Sequence, residues 1–341
     1  MLQRLFNKYN FLPKSIGKLV IGATIALVLF QAVSSCAVYT IAPRRTTPHN
    51  FAAWCEQQFE LPLATRHTIE ALLHQAETKD CQEAETKLSQ IKIFTCSGCK
   101  ISDLRPLQSF TNLEILTLEE NQISDLRPLQ SLTNIEDLTL STNRITDIRP
   151  LSSLTKLTGL SLGDNRITDI RPLSSLTKLR GLSINGGNRI SDIRPLQSLT
   201  NLAILGLVSN RNISDLKPLS TLTKLTRLSL SANRISDLRP LSTLTKLTRI
   251  DLMANQISDL KPLSTLTKLT DLLLSHNQIS DIKPLSSLTK LRVLYLEDNQ
   301  ISDISPLSSL TKLGRIYLGN NPSTSRICPV EPQSICEWDS P

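Results

Sequence analysis

Aromatic residues make up only 4% of this chain while hydrophobic residues make up 40%, so its core has to be built from Leu and Ile. Such a core suits thin stacked layers, and a repeating chain escapes the two closed domains that 341 residues would otherwise suggest. Acidic residues are absent from the first 50, which carry Arg4, Lys8, Lys14, Lys18, Arg44 and Arg45. Those six supply most of the formal net charge of +8 and leave +2 for everything after them. A basic chain raises the question of nucleic acid, but an excess confined to one terminus has another explanation, and no nucleic-acid partner is expected. Histidine is scarce too. His67 and His74 stand two turns and roughly 10 Å apart on one expected helix, too far to share an ion, and read as surface residues. No metal and no cofactor is expected.

Charge of either sign is also missing from Leu19 to Pro43, a run of about 25 residues that is long enough to cross a bilayer. Four positive charges precede the run and two follow it, which puts the N-terminus in the cytoplasm and the rest outside. Residues 1–45 are therefore expected to be an export signal or membrane anchor, placing the protein in the cell envelope, membrane-anchored or secreted. Within the run, Val33-Ser34-Ser35-Cys36 resembles the signal at which bacterial lipoproteins are cleaved and acylated on Cys. Three alternatives stay open: an uncleaved transmembrane helix, a lipoprotein carried on Cys36, and a signal peptide cut near Ala42.

Six further cysteines flank the central part of the chain, Cys55, Cys81, Cys96 and Cys99 on one side and Cys328 and Cys336 on the other. Six cysteines admit 15 pairings, and their placement favours local bridges. Cys328 is expected to pair with Cys336, while the pairing among the first four stays open. Cys96-Ser97-Gly98-Cys99 spells a redox motif, but it follows a strand instead of opening a helix, so a structural bridge is the reading. Zinc held by the four is the alternative, and an exported chain favours disulfides over it.

Aligned on itself, the chain repeats every 22 residues, with Ile at 101, 123, 145, 167, 190, 213, 235, 257, 279 and 301, and only two steps of 23. In Leu247-x-x-Ile250-x-Leu252-x-x-Asn255-x-Ile257 the unit shows the spacing that marks leucine-rich repeats. Alternation of Ile250 and Leu252 predicts a short strand with one buried face, and successive strands stack as a parallel sheet. Asn255 and its equivalents should form a ladder, because a carboxamide both donates and accepts and can satisfy backbone groups freed where the chain turns inward. The return segment Ser236 to Leu244 is too short for a helix and contains Pro240. It predicts a 3₁₀ turn in which Asp237 accepts from free amides and Pro240 sits where no donor is needed. One unit buries too little to order its own backbone, so stacking is obligatory and the ends need covers.

The expected fold is thus α/β, a solenoid whose curved parallel sheet has about 11 strands, with 3₁₀ turns on the convex side and a small helical cap at the N-terminus. The expected divisions are the N-terminal segment 1–45, a helical cap 46–88, repeats 89–321 and a C-terminal cap 322–341. The first cover shows helical spacing at Ile69, Leu72, Leu73 and Ala76, with Asp80 and Glu83 placed as a capping box for a second short helix. Leu88-x-x-Ile91-x-Ile93-x-x-Cys96 reads as a degenerate first strand ahead of ten regular ones. Beyond Gly319 the period fails among prolines and the last two cysteines.

The motif Ile-[Ser/Thr]-Asp-[Leu/Ile]-x-Pro-Leu-x-x-Leu-Thr-[Lys/Asn]-Leu, repeated from Ile101 to Leu313 over about two thirds of the chain, closely resembles the repeats of bacterial internalin-like proteins. That resemblance implies a curved, non-catalytic scaffold that binds a receptor at a bacterial surface, without naming the ligand. Trp54-Cys55 and the stretch from Leu61 to Thr68 look like the N-terminal region of cyanobacterial repeat proteins.

Chemistry is not expected. Gly159-Leu160-Ser161-Leu162-Gly163 spells a nucleophile elbow, but Leu160 and Leu162 are buried repeat positions, which leaves Ser161 mid-strand with no nearby His. Outside the repeats too few residues remain for an independent active site. Asn212-Ile213-Ser214 matches a glycosylation sequon, a single tripeptide of little weight. The function expected is a macromolecule-binding scaffold with a protein partner. The residues flanking the later Leu positions point out of the sheet and vary. From the sixth unit onward they include Arg227, Arg249, Asp251, Met253, Leu273, Val293, Tyr295, Arg315 and Tyr317, rich in interface anchors, and the ligand is expected there. The alternative uses Lys156, Lys178, Lys224, Lys246, Lys268, Lys290 and Lys312, a stripe that is either a solvated edge balanced by the Asp of each unit or a track for an anionic glycan or a membrane surface.

Overall fold

The computed structural model describes residues 48–322 and 326–338, so the expected export or anchor segment, Cys36 included, lies outside the described residues. Among the described residues no helix is long and apolar enough to cross a membrane.

Every unit contributes one strand of three residues. These are β1 (Ile93–Thr95), β2 (Ile115–Thr117), β3 (Asp137–Thr139), β4 (Gly159–Ser161), β5 (Gly181–Ser183), β6 (Ile204–Gly206), β7 (Arg227–Ser229), β8 (Arg249–Asp251), β9 (Asp271–Leu273), β10 (Val293–Tyr295) and β11 (Arg315–Tyr317), with a two-residue β12 (Cys336–Glu337) added by the tail. They pair in parallel in strict chain order. So short a strand cannot hold its own register. The register comes instead from the buried middle residue, Leu228 beside Ile250 beside Leu272, and from the layer beneath it. In the unit from Ile235 to Leu252 the residues Ile235, Leu238, Leu241, Leu244, Leu247, Ile250 and Leu252 are all 1% exposed or less, a thin apolar layer between two others.

The asparagine ladder forms as the spacing predicts. Asn277 Nδ2 donates to Leu252 O at 3.0 Å and Leu274 O at 2.9 Å, while Oδ1 accepts from Ile257 N at 3.0 Å. Each carboxamide thus reaches back to the preceding unit. The residue just before it is left-handed, as at Ala232, Ala254 and His276, with φ of 53 to 58°. Glycine takes this conformation at Gly98 and Gly186, while Glu, Thr, Asp, Ser, Ala, His and Asn take it in other units, so no single residue type announces the turn. A second ladder, which the spacing did not predict, runs along the convex side: Ser131, Thr243, Thr265 and Ser287 hydroxyls each donate to a carbonyl of the unit before. Its signal was the Ser or Thr recurring just ahead of the turn's last Leu.

The ladder has one missing contact. Arg211, the extra residue of the second 23-residue step, itself left-handed at φ 63°, follows ladder residue Asn210. Asn233 Oδ1, which would accept from Ile213 N by the pattern of the other units, is buried without a partner.

At the N-terminal end the observed register corrects the expected one. Ile93 pairs with Ile115 and Phe94 with Leu116, so the first unit reads Ile91-x-x-Phe94-x-Cys96-x-x-Cys99, three residues later than the spacing from Leu88 suggested. Phe94 is the buried residue at 1% exposure, whereas Ile93 is 54% exposed. Cys99 therefore occupies the ladder position and is bonded to Cys96. The physical reason lies in the ladder's direction. No unit precedes this one to receive a carboxamide, and a covalent link closes the turn in its place.

Three helices cover this end, α1 (Phe51–Glu56), α2 (Leu63–Ala76) and α3 (Cys81–Leu88). Cys55 is bonded to Cys81, tying α1 to the start of α3. Asp80 caps α3 by accepting from Gln82 N and Glu83 N. The reciprocal arm of the expected capping box goes elsewhere, since Glu83 accepts from the Thr78 hydroxyl at 2.7 Å. Buried Thr65 and Thr68 of α2 donate to Asp103 Oδ2 and Asp103 O, both at 2.7 Å, docking the helix on the first unit. At the far end Cys328 is bonded to Cys336, and β12 covers the edge of β11, making twelve strands among the described residues where about 11 were expected.

On the convex side Asp237 Oδ1 accepts from Arg239 N at 2.9 Å, and the Arg239 guanidinium folds back onto the same carboxylate. Asp125, Asp147, Asp169 and Asp192 do the same with the Arg two residues on. In these units the carboxylate is held by the Arg of its own turn and not by the lysine stripe, because an Arg two residues away forms its fork before any Lys of another segment can reach it, whereas Asp215, Asp259 and Asp281 have Lys two residues on and Asp303 has Ser. The side-chain hydrogen bond from Arg194, then the backbone amide of Arg194, hold the Asp192 carboxyl down at about 2. A group lowered in the folded state adds stability above its unfolded pKa and loses it as pH falls through the folded one. The contribution of the Asp192 turn should therefore vanish between about pH 4 and pH 2. The pairs are solvent-exposed, so each contributes little. Carboxyl NMR should place the Asp192 midpoint near 2, and Arg194→Ser should move it upward. An unchanged midpoint in that variant would disprove the assignment.

Candidate functional site

Alternation along each strand sends the middle residue into the core and the first and third outward, so the register lines up two rows across the sheet. The first row runs Arg227, Arg249, Asp271, Val293, Arg315, and the second runs Ser229, Asp251, Leu273, Tyr295, Tyr317. In the C-terminal half they enclose a depression of about 450 Å³ lined by Arg249, Asp271, Leu273, Arg292, Val293, Tyr295, Gly314 and Arg315.

Five of the residues singled out from sequence, Arg249, Leu273, Val293, Tyr295 and Arg315, meet at this depression. Arg249 lies 3.6 Å from Asp271 and Arg315 lies 3.7 Å from Glu337 of the tail strand. Tyr295 packs edge-on against Tyr317 with centroids 4.3 Å apart. Tyr317 is only 9% exposed because β12 adds a neighbour on its far side, so it supports Tyr295 instead of standing free. Loss of solvent, then the adjacent Tyr295 hydroxyl, push the Tyr317 phenol above its ordinary value. Arg227 stands exposed on β7, one strand beyond the depression. Asp251 is engaged internally, accepting from Ser231 Oγ at 3.0 Å and from Met253 N at 3.1 Å, and Met253 is half-buried.

Arg292, Asp271 and Gly314 line the depression without having been expected there. Arg292 and Gly314 precede the strand, a position occupied by Thr in the three units before them, and that change of residue type was the available signal. Glu297, 9% exposed, accepts from fully buried Ser275 at 2.9 Å and fixes the strand-exit side.

Small residues make the centre of the sheet a second hollow of about 310 Å³ around Gly159, Gly181 and Gly206. Any Cβ at Gly159 would lie 1.8 Å from Asp137 Oδ1, so the neighbouring carboxylate occupies that space. Ser161, the spelled nucleophile, is the third residue of β4, and its hydroxyl contacts Ser141 Oγ at 2.7 Å; no base is among its hydrogen-bond partners. Among the described residues there is no cluster of three or more His, Cys, Asp or Glu able to hold a metal ion.

Comparison with known proteins agrees with this geometry. A family model for leucine rich repeats, two copies at a time, matches residues 89–131, 111–153, 133–175, 155–193, 177–221, 223–265, 267–309 and 289–326. An internalin, InlF, from Listeria monocytogenes is 33% identical over 75% of this chain and 82% of its own, with a TM-score of 0.64. Internalin C2 from the same organism is 40% identical over 55% of this chain and 82% of its own, with a TM-score of 0.54. The functional domain of InlJ shares the fold at 24% identity, covering 80% of this chain and 57% of its own, with a TM-score of 0.68. No curated protein matches the chain by sequence.

Proposed function

Because the chain belongs to the leucine-rich-repeat family and is internalin-like, we propose that it is a non-catalytic scaffold that works outside the cytoplasm and holds a protein ligand on the concave face of its C-terminal half. One observation carries the reading. The framework positions hardly change from unit to unit, while the outward rows change from Gly and Ser in the middle to Arg, Leu and Tyr around the 450 Å³ depression. Residues of that kind, gathered over a rigid sheet, are what interface anchors consist of. Three disulfides support a site of action outside the reducing cytoplasm. Membrane attachment through residues 1–45 belongs to the same proposal.

A second reading, an anionic glycan or membrane surface held by the lysine stripe, has one observation in its favour. Among the described residues Lys246, Lys268, Lys290 and Lys312 are exposed and have no carboxylate within ion-pair distance.

Photocrosslinking from position 293 in the native envelope, followed by titration of the crosslinked protein, tests the first reading. Tyr295→Ala and Arg249→Ala should each cost at least about 1 to 2 kcal/mol of affinity, while Thr139→Ala on the same sheet should cost little. Equal losses at all three, or none, would move the site to the lysine stripe.

A further inference from the structure

Charge is segregated across the concave face of the C-terminal half. On the side where the strands begin stand Arg227, Arg249, Arg292 and Arg315, with Lys246, Lys268, Lys290 and Lys312 in the turns just ahead of them. Asp271 is the one acid of the strand-entry rows in this stretch. On the side where the strands end lie Asp251, Glu297 and Asp298, and each is already engaged: Asp298 with His276 at 3.1 Å and Asn320 at 2.9 Å, Asp251 with Ser231 and Glu297 with Ser275.

The basic side is not satisfied in that way. The contacts of Arg249 with Asp271 and of Arg315 with Glu337, at 3.6 and 3.7 Å, are long for charge-assisted hydrogen bonds. Arg227 and Arg292 have no ion pair among the described residues. The same edge in the N-terminal half carries no such excess, since Lys92 is bonded to Glu114 at 2.7 Å and Glu136 follows.

Resting on the concave-face reading, we propose that this surface takes an extended acidic segment of a protein partner, with carboxylates at i and i+4 and an apolar side chain at i+2. Neighbouring strands lie about 4.8 Å apart, so Arg249 and Arg315, three strands apart, are separated by about 14 Å, the rise of about four extended residues. In an extended segment i, i+2 and i+4 face the same way. Two carboxylates therefore meet the two guanidinium groups while the residue between them enters the depression over Leu273 and Val293. Arginine's planar fork suits a carboxylate. An apolar floor between two forks suits a polypeptide better than a uniformly charged glycan, which has nothing to place there.

Fluorescence anisotropy on the purified protein decides it with three short labelled peptides carrying Glu-Ser-Leu-Ser-Glu, Lys-Ser-Leu-Ser-Lys or Glu-Ser-Ser-Ser-Glu, and with heparin as a polyanionic glycan. The first peptide should bind at least about tenfold more tightly than either other peptide. Its affinity should fall with salt, and should drop about fivefold or more in both Arg249→Ser and Tyr295→Ala, exposed or half-buried positions whose replacement spares the core. Equal binding of the Lys peptide with dependence on Tyr295 would overturn the acidic assignment and leave the concave site standing. Heparin binding that needs Arg249 but not Tyr295, with no preference for the Leu peptide, would assign the surface to a glycan. Loss of no affinity in Tyr295→Ala for any probe would remove the concave site itself, and binding by none of the probes would overturn the proposal.

Discussion

Asn277→Ala is expected to destabilise the solenoid by about 3 kcal/mol or more, since it leaves several buried backbone groups without partners and each costs about 1 to 3 kcal/mol. The groups are Ile257 N, Leu252 O and Leu274 O, all within 3.0 Å of the carboxamide. Asn277→Asp should come close to the same loss, because an ionised carboxylate can still accept from Ile257 N but can donate to neither carbonyl. Asn233 supplies an internal control. Its Oδ1 already lacks a partner, so Asn233→Ala removes one contact fewer and should cost measurably less. Urea denaturation of the three variants gives the comparison. An Asn277→Ala protein within about 1 kcal/mol of the parent would mean that water replaces the ladder at little cost.

Phe110→Ala should cost about 3 to 5 kcal/mol, the range for emptying an aromatic site in a packed core. Phe110 stands in the first unit where later units have Leu132 and Leu154, is 1% exposed, and lies 5.8 Å from the ring of fully buried Phe51 on α1. The larger ring fills the distance between a helix and a flat repeat layer. Because each unit contacts only its neighbours, the damage should be local at first. Hydrogen exchange should show α1, α3 and β1 losing protection before β6 to β10. A uniform loss across all units would mean that the cap and the array unfold as one cooperative body.

The repeat, its buried face, the asparagine ladder and the capped 3₁₀ turns were legible because each recurs ten times at fixed spacing, and each has a local physical reason. Features that occur once were not. The register of β1 differs by three residues from the one the spacing suggests, since Ile91 and Ile93 alternate as well as Phe94 and Cys96 do, and only pairing with β2 chooses between them. The left-handed turns carry no local signal because Glu, Thr, Ala and His adopt them without glycine, held there by the layers on both sides. Arg292 was not legible as a lining residue because it stands one place before its strand, and only the stacking of the units places that position beside the depression.

By itself, then, the sequence determined the class of fold and the face on which variation collects, because a 22-residue period of apolar positions admits one way of burying them. Tertiary structure alone decided how the four N-terminal cysteines pair, which register the first strand takes, and which charges remain unsatisfied. Those outcomes depend on groups brought together from different units, where the distance between two side chains is set by stacking and not by their separation along the chain.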